Sequence, residues 1–501
     1  MSADGTRVAF VLERPDACDI AVVPLDGSAW PAKISAGADY AFDPAWSPDG
    51  RRVVWQEWDF PNMPWDGSRI AMATLDGLTP EEPVVIVAGG EGESVGQPRF
   101  SPDGSQLGWV SDATGFNNVW IGRWDGSKAA PAVKESWEHA QPTWGPGQRS
   151  WAWAPDGHSV AACRNEDGFG RLVTLPLGRG KAREVASGWH VALDWGTRGL
   201  LAVRSAPDLP DEVVVVDPGG PAHRRYARGA VGGFEDAHLP MPEVVSWSGS
   251  AKGPAKGQVH GLLWRAEAGG GERPPLLVMV HGGPTGQATA SFNARIAFFC
   301  NRGWNVLTPN YRGSTGYGRD YAQALRGQWG ALDVSDVADG IRHAVAKGWG
   351  DPDRVAVTGG SAGGFTTLLV CALHGDLVAA GVDLFGVADL FHLLDVTHRF
   401  EARYLDHIVG VLPQDADRYR DRSPVTHAER IRVPLLVLQG DEDVAVPKSQ
   451  ADLLVEALQR SGVEVEYQVY EGEGHGWSNP ETIEDELTRT AAFLDRHVLR
   501  R

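Results

Sequence analysis

Cysteine is scarce in this chain: among 501 residues there are only four, Cys18, Cys163, Cys300 and Cys371. They are far apart and form neither a C-x-x-C pair nor the spacing of a zinc site, so the sequence implies no metal centre. Isolated cysteines of this kind usually behave as small apolar residues of the interior. We therefore expect four reduced cysteines in the core.

Positive charge is also in deficit. The chain has 46 lysines and arginines against 65 aspartates and glutamates, a formal net charge of −19 at pH 7. A surface of this sign repels phosphate backbones and anionic lipids, which argues against nucleic acid and membranes as partners. The acidity is most simply explained by solubility, and attraction of a cationic substrate, such as a free peptide amino terminus, is the alternative.

Long hydrophobic stretches are missing as well. No run approaches the roughly 18 apolar residues of a membrane-spanning helix. The chain does not open on a charged segment followed by an apolar one, as a secretory leader would. Provided that the start of the chain is complete, we expect a cytoplasmic protein.

What the sequence does contain, in its first half, is an internal repeat. The pentapeptides W-S-P-D-G at 46–50, F-S-P-D-G at 100–104 and W-A-P-D-G at 153–157 are three copies, and S-A-D-G at 2–5 is a shortened fourth. Each full copy precedes a short run rich in β-forming residues. The copies recur about every fifty residues. A strand, an Asp-Gly turn and a second strand at this period are typical of β-propeller blades, whereas the repeats of a β-solenoid are shorter.

The repeats predict four blades, and strand-like runs between about 190 and 236 suggest a fifth. The chain begins inside a repeat, so either the propeller is small or open, or the natural product starts further upstream. We place the domain boundary after residue 236. The sequence therefore predicts two domains: an all-β propeller of four to five recognisable blades over 1–236, its completeness left open, and a second domain over 237–501.

The second half alternates strand and helix patterns, which predicts a largely parallel sheet. Apolar runs such as 276–280, 355–358, 435–438 and 465–470 have the character of buried strands. A C-terminal helix is predicted near the end of the chain. Its core-facing stripe is expected to consist of four apolar residues at helical spacing, namely Ile483, Leu487, Ala491 and Leu494.

The most informative segment is G-G-S-A-G-G at 359–364, directly after the strand-like run 355–358. A serine at the apex of a glycine-lined turn from strand to helix is the pattern of a nucleophile elbow, in which small neighbours allow a strained backbone. Glycine-rich turns of this kind also serve as packing junctions or phosphate sites. Other members of a catalytic triad are needed to decide whether Ser361 is a nucleophile.

Candidates for those members follow in the order that an α/β-hydrolase requires. The run 434–438 leads into three acidic residues, Asp441, Glu442 and Asp443, and the run 465–470 leads into a glycine-rich segment that holds His475. Functional groups of open α/β sheets lie at the carboxyl ends of the strands. We choose Asp443 because the G-x-x-D-x-x-V-P pattern places it at the bend. His475 is then the general base, which the carboxylate orients.

The oxyanion hole has a candidate in the H-G-G-P turn at 281–284, which follows the strand-like run 276–280. Backbone N–H groups of such a turn, together with the N–H of Ala362, would hold a tetrahedral oxyanion. Gly283 is the first choice and Gly282 the reserve. His281 is interpreted as a structural residue of the turn.

These motifs, with N-Y-R-G-S-T-G-Y-G at 310–318 and E-G-H-G at 473–476, resemble the prolyl oligopeptidase family of serine peptidases. Within it the chain is most similar to the acylaminoacyl-peptidase and dipeptidyl-aminopeptidase-like branch. The resemblance is dense over roughly the last half of the chain. It implies an α/β-hydrolase fold and cleavage of short peptides or aminoacyl amides through an acyl-enzyme. It implies no cofactor, and it gives Ser361, Asp443 and His475 the triad roles.

The resulting prediction is a serine peptidase whose propeller limits access to the triad. A small-molecule amidase or esterase acting on an aminoacylated natural product is the alternative, and a non-catalytic interaction module is a third interpretation. The residue preference, the choice between free and blocked amino termini, and a homo-oligomeric state are left open.

Several segments outside the triad have two interpretations each. Residues 60–67 suit packing within a blade or contact with substrate. An acyl pocket could be lined by Phe385, Val387 and Trp329, although core packing is commoner for such a tryptophan. Glu401 and Arg403 suit binding of a substrate terminus or a structural ion pair.

Overall fold

The computed structural model describes residues 1–178, 180–220, 223–229, 237–251, 257–266 and 273–500. The chain divides into two compact units, Met1–Ala230 with Gly316–Asp320, and Val231–Thr315 with Tyr321–Arg501. The predicted boundary after residue 236 falls among residues outside this description and stays a prediction. No helix in the described ranges is long and apolar enough to cross a membrane.

The described part of the first unit contains five antiparallel sheets that follow one another along the chain. The first sheet consists of β1 (Arg7–Arg14), β2 (Ala17–Pro24) and β3 (Ala32–Lys33). The second consists of β4 (Tyr40–Trp46), β5 (Arg52–Trp58), β6 (Ser68–Asp76) and β7 (Thr79–Pro80), with β8 (Val85–Gly90) also paired to β6. The third consists of β9 (Val95–Phe100), β10 (Gln106–Ser111), β11 (Asn118–Arg123) and β12 (Ala130–Pro131). The fourth consists of β13 (Trp151–Trp153), β14 (Ser159–Glu166), β15 (Phe169–Pro176) and β16 (Arg183–Ser187), and the fifth of β17 (Trp189–Gly196), β18 (Gly199–Ala206), β19 (Leu209–Val216) and β20 (His223–Arg228).

The repeated pentapeptide forms the turn between two neighbouring strands of a sheet. The Ser47 hydroxyl donates to Asp49 at 2.5 Å between β4 and β5, and the equivalent bond in the next repeat measures 2.6 Å. The closing glycine has a positive φ in each case, 68° at Gly50 and 72° at Gly104, which favours glycine there. The predicted relation between repeat and blade-like sheet is confirmed.

Successive sheets pack through shared apolar clusters. Val54 and Ile70 of the second sheet lie in one cluster with Phe100 and Leu107 of the third, and Trp151 of the fourth joins a cluster with residues of the third. This stacking of short antiparallel sheets is propeller-like. The suggested fifth blade corresponds to the sheet β17–β20.

The segment 60–67 packs within the first unit. The ring of Phe60 meets that of Tyr40 edge to face at 5.7 Å, and the rings of Trp65 and Trp144 lie 4.5 Å apart. Packing is thus one established role of this insertion, and its contact with substrate stays a prediction.

The second unit is built around an eight-stranded sheet in the order β21-β22-β24-β23-β25-β26-β27-β28. The six strands from β24 to β28 in this order pair in parallel, and β21 and β22 are antiparallel additions at one edge. The largely parallel sheet is therefore confirmed. Its strands are β21 (Glu243–Ser248), β22 (Gln258–Trp264), β23 (Leu276–Val280), β24 (Asn305–Asn310), β25 (Val355–Gly360), β26 (Ala380–Leu384), β27 (Leu435–Gly440) and β28 (Val465–Tyr470).

The helices alternate with these strands. They are α1 (Ala294–Cys300), α2 (Arg319–Gln323), α3 (Leu332–Ala346), α4 (Ala362–Leu373), α5 (Leu390–Val396), α6 (Tyr404–Ile408), α7 (Ala416–Arg422), α8 (Ser449–Arg460) and α9 (Pro480–Leu494). Short 3-10 turns cover Gly375–Leu377, Arg399–Glu401 and Pro424–Arg430, and a π-helical turn, Asp495–Leu499, follows α9. The central helix α4 is almost wholly buried, as expected for the helix that follows a nucleophile elbow.

The predicted core face of α9 is correct at Leu494, which is buried, and wrong at Ile483. Ile483 is 40% exposed, whereas Thr482, Glu486, Thr490 and Phe493 are buried. The physical reason is an ion pair: Glu486 accepts from the guanidinium of Arg295 in α1 at 2.6 Å, which turns the polar stripe of α9 inward.

Candidate active site

Ser361 occupies the turn between β25 and α4. Its backbone has φ 57° and ψ −123°, a conformation that non-glycine residues rarely adopt. The Ser361 N–H donates to the carbonyl of Leu384 at the end of β26, at 3.0 Å. The strained turn thereby presents the serine at the carboxyl edge of the sheet, as a nucleophile elbow does.

Two glycines make this turn sterically feasible. A Cβ on Gly359 would lie 2.5 Å from backbone atoms of Gly363, and a Cβ on Gly363 would lie 2.2 Å from the carbonyl oxygen of Val280. Any side chain would drive β25, α4 and β23 apart. The glycines of the G-x-S-x-G pattern are therefore required by close backbone approach.

Asp443 and His475 form the second part of the site. The Asp443 Oδ2 atom lies 2.8 Å from Nδ1 of His475. The Asp443 side chain is fully buried, and its Oδ1 accepts from the backbone N–H groups of Ala445 at 2.9 Å and Val446 at 2.8 Å. This carboxylate is fixed in orientation and holds the imidazole with Nδ1 protonated.

The two other acidic residues of the loop are directed elsewhere. Asp441 is exposed and accepts from the backbone N–H of Gly472 at 2.7 Å. Glu442 is also exposed. Among the three acidic candidates it is Asp443 that the structure brings to His475.

The imidazole is supported by two residues that the sequence analysis did not assign to this role. The ring of Phe385 lies 4.8 Å from that of His475, and it also meets Trp477 edge to face at 5.1 Å. Glu473 accepts from the N–H groups of Ser478 and Asn479, at 2.8 and 2.9 Å, and so ties together the loop that carries His475. These bonds, the one from the Ser478 N–H foremost, lower the pKa of Glu473 to about 2.

Topology brings Ser361 to the same edge as this pair. The strands β25, β26, β27 and β28 are parallel neighbours, and the three candidate residues follow the carboxyl ends of β25, β27 and β28. The hydrogen bonds of the described residues include none between the Ser361 hydroxyl and His475. Catalytic hydrogen bonds of unliganded enzymes are often long and shorten when substrate binds.

The oxyanion-hole candidates lie beside the serine. Gly283, Pro284, Ser361 and Ala362 line one cavity. Ala362 opens α4, so its N–H has no intrahelical acceptor. Gly283 has φ +120°, a conformation that favours glycine. Gly282, the reserve candidate, also approaches closely, since a Cβ there would lie 3.5 Å from that of Ser361.

His281 has structural contacts. Its ring stacks on Tyr311 with centroids 4.4 Å apart, Nδ1 lies 2.9 Å from the carbonyl of Gly282, and Nε2 lies 2.7 Å from the Ser314 hydroxyl. Burial lowers the pKa of His281 to about 4. A neutral imidazole that donates from Nδ1 and accepts at Nε2 fits this environment and fixes the turn.

The cavity at Ser361 continues between apolar walls. Trp329 and Val387, two of the pocket candidates, line it, together with residues that the sequence analysis did not single out, namely Leu393, Thr397, Tyr404, Leu405, Ile408 and Val446. The ring of Trp329 also packs against that of Phe365 in a tilted arrangement, with centroids 4.1 Å apart, so Trp329 belongs to both the core and the cavity wall. A helical segment rich in aromatic and aliphatic residues at 390–408 was the available signal for these walls.

Glu401 lines the same cavity, and Arg403 does not. Arg403 pairs with Asp406 instead, at 2.6 Å. The suggested ion pair between Glu401 and Arg403 is therefore absent from this described segment. Burial raises the pKa of Glu401 to about 7, an effect that the nearby His475 partly offsets.

Comparison with known proteins gives a family match. The model of the prolyl oligopeptidase family matches residues 290–500. Dipeptidyl aminopeptidase BIII of Pseudoxanthomonas mexicana is 35% identical over 225 residues, which cover 44% of this chain and 33% of that protein. The chain thus spans about a third of the length of this curated relative.

Two solved structures resemble the whole chain. The crystal structure of puromycin hydrolase is 33% identical with a TM-score of 0.90, and the match covers 98% of this chain and 76% of the other. The structure of a Mycobacterium tuberculosis puromycin-hydrolyzing peptidase is 32% identical with a TM-score of 0.91, covering 99% and 78%. The two-domain architecture of the chain is that of these peptidases.

Proposed function

Because the chain belongs to the prolyl oligopeptidase family, we propose that it is a serine peptidase that hydrolyses short peptides or aminoacyl amides. The nucleophile is Ser361, the base is His475 and the orienting carboxylate is Asp443. The observation that carries the proposal is the 2.8 Å contact from Asp443 to His475 at the edge of the sheet where the strained Ser361 turn ends.

In the proposed mechanism, the Ser361 Oγ attacks the scissile carbonyl while Nε2 of His475 takes the hydroxyl proton. Asp443 accepts from Nδ1–H and stabilises the imidazolium that forms. The backbone N–H groups of Gly283 and Ala362 donate to the oxyanion. His475 then returns the proton to the leaving amine, and water hydrolyses the acyl-enzyme by the same steps.

A second candidate is a dedicated amidase or esterase acting on an aminoacylated natural product. Its support is the likeness to puromycin hydrolase over 98% of the chain. Both candidates use the same triad and differ in the leaving group. A panel of short peptides, aminoacyl amides, N-acyl amides, simple esters and puromycin, compared by kcat/KM, separates them. A peptidase prefers the short peptides and aminoacyl amides, and a dedicated amidase prefers puromycin.

The direct test of the proposed function is Ser361→Ala. The variant should fold as the wild type does and lose turnover of aminoacyl p-nitroanilides. Removal of a triad member leaves about 10³- to 10⁴-fold catalysis over water in well-studied serine proteases. Turnover at the wild-type rate in this variant would exclude Ser361 as the nucleophile, whereas a wild type without turnover would favour the interaction-module interpretation.

We also propose that the protein is cytoplasmic. All four cysteines are buried and free, which suits the reducing cytoplasm. Oligomeric state is an open part of the proposal, and size-exclusion chromatography with light scattering measures it.

A further inference from the structure

Glu401 is an acidic residue in a largely apolar cavity. It ends the 3-10 turn Arg399–Glu401 and lines the space that also holds Ser361. The other walls are formed largely by aliphatic and aromatic side chains, among them Trp329, Val387 and Leu393. The Glu401 side chain is 26% exposed, so a carboxylate there has less hydration than a fully exposed one.

No lysine or arginine of the described residues pairs with this carboxylate. The Nε2 atom of His398 lies 3.9 Å from it, beyond hydrogen-bond distance, and His475 is near enough to favour its charged form in part. Arg403, two residues along, is paired with Asp406. Burial raises the pKa of Glu401 to about 7, so its charged form is poorly stabilised by the protein. Because a partly buried carboxylate without a paired cation is poorly stabilised, a ligand cation would stabilise this one.

A second polar group of the cavity also lacks a partner. The Oγ1 atom of Thr397, four residues before Glu401, is buried and makes no hydrogen bond within the described chain. A hydroxyl oxygen can accept a hydrogen bond from an N–H group that does not donate to the carboxylate. An ammonium group carries three N–H donors, so it can donate hydrogen bonds to Glu401 and Thr397 at the same time.

We propose that Glu401 is the specificity-determining residue that binds an ammonium group on the acyl part of the substrate, with Thr397 as a second acceptor. The inference rests on the proposed function, since the cavity is the acyl pocket only if Ser361 is the nucleophile. The ammonium group belongs either to the unblocked α-amine of the residue whose carbonyl is attacked or to the end of its side chain. Both have the same chemistry toward Glu401.

The test compares kcat/KM for four p-nitroanilides. Leucine p-nitroanilide carries an α-ammonium, and 4-methylpentanoyl p-nitroanilide has the same carbon skeleton without it. N-acetyl-leucine p-nitroanilide has a blocked amine, and N-acetyl-lysine p-nitroanilide carries an ammonium only on the side chain. In the wild type, one ammonium-bearing substrate should exceed its neutral counterpart by at least about tenfold, the size expected for a hydrogen bond to a charged group. The substrate that does so identifies the source of the ammonium.

In Glu401→Gln this preference should fall to within about threefold of unity, because the ammonium-bearing substrate loses its partner whereas the 4-methylpentanoyl substrate has no ammonium to bind. Thr397→Val should reduce the preference by a smaller factor. Glu442→Gln removes an exposed carboxylate of the same unit and should leave the preference unchanged.

Three results would overturn the inference: a wild-type ratio near one, an unchanged ratio in Glu401→Gln, or an equal loss on all four substrates in that variant. The last would make Glu401 a positioning residue for His475. Fluorophosphonate labelling separates this failure from that of the proposed function. Labelling of Ser361 with an unchanged substrate ratio contradicts only the role of Glu401, whereas absence of labelling contradicts the serine mechanism itself.

Discussion

The Oδ2 atom of Asp443 lies 2.8 Å from Nδ1 of His475, while Oδ1 of the same carboxylate is held by the backbone N–H groups of Ala445 and Val446. The two oxygens therefore have different partners. Oδ1 is held by the backbone of the loop, and Oδ2 orients the imidazole. The tautomer of His475 is therefore determined by the fold of the loop after β27.

Asp443→Asn should preserve the fold and lower kcat by about 10³- to 10⁴-fold, because the amide no longer imposes the tautomer that His475 needs. The measurement is kcat on an aminoacyl p-nitroanilide, with circular dichroism as the check on folding. Asp441→Asn is the matched control, since Asp441 is exposed and bonds to Gly472. Equal losses in both variants would show that the loop's charge, and not the contact with His475, matters.

Gly363→Ala should destabilise the second unit by about 1 to 3 kcal/mol, because the new Cβ would overlap the carbonyl oxygen of Val280. Denaturant unfolding measures the change. Gly375→Ala is the control: no atom lies within 4 Å of its added Cβ, and the free energy of unfolding should change by less than about 0.5 kcal/mol. Wild-type stability in Gly363→Ala would contradict the close approach of α4 and β23.

His281 should make stability depend on pH. Its pKa is lowered by burial from 6.5 to about 4 in the folded chain. Between these values the unfolded chain binds a proton that the folded chain does not, so stability present above pH 6.5 is lost as the pH falls toward 4.

The free energy of unfolding, measured from pH 7 to 4, should fall less steeply in His281→Asn than in the wild type, by on the order of 2 to 3 kcal/mol over the range. The exposed His158 provides the control variant His158→Asn, which should retain the wild-type slope. Parallel slopes for the wild type and His281→Asn would mean that His281 is not held neutral.

The orientation of α9 gives a further prediction. Phe493 is buried and Ile483 is 40% exposed. Phe493→Ala should therefore lower the free energy of unfolding by about 3 to 5 kcal/mol, and Ile483→Ala by less than about 1 kcal/mol. A larger loss for Ile483→Ala than for Phe493→Ala would contradict this orientation of α9.

Much of the fold around the site follows from local sequence. The strands β23 (Leu276–Val280) and β28 (Val465–Tyr470) have the bounds of the runs that predict them, because turn-forming or polar residues end each run. The choice of Asp443 among three acidic residues also followed from the pattern around the bend. The elbow was visible because only glycines tolerate its backbone contacts.

Other features depend on contacts between distant segments. The side of α9 that is buried depends on Arg295, which lies nearly two hundred residues earlier and draws Glu486 inward. Glu401 has no ion pair with Arg403 because Arg403 pairs with Asp406, and the walls of its cavity come from several separate elements. Helical periodicity cannot reveal which polar residue a tertiary partner will satisfy.

The central claim is that Ser361 is a nucleophile activated by His475 and Asp443. Its most direct test is to treat the wild type and Ser361→Ala with a fluorophosphonate and to locate the adduct by peptide mass mapping. The account predicts one adduct per wild-type chain, on Ser361, and none in the variant. An adduct on another residue, or equal labelling of Ser361→Ala, would contradict it.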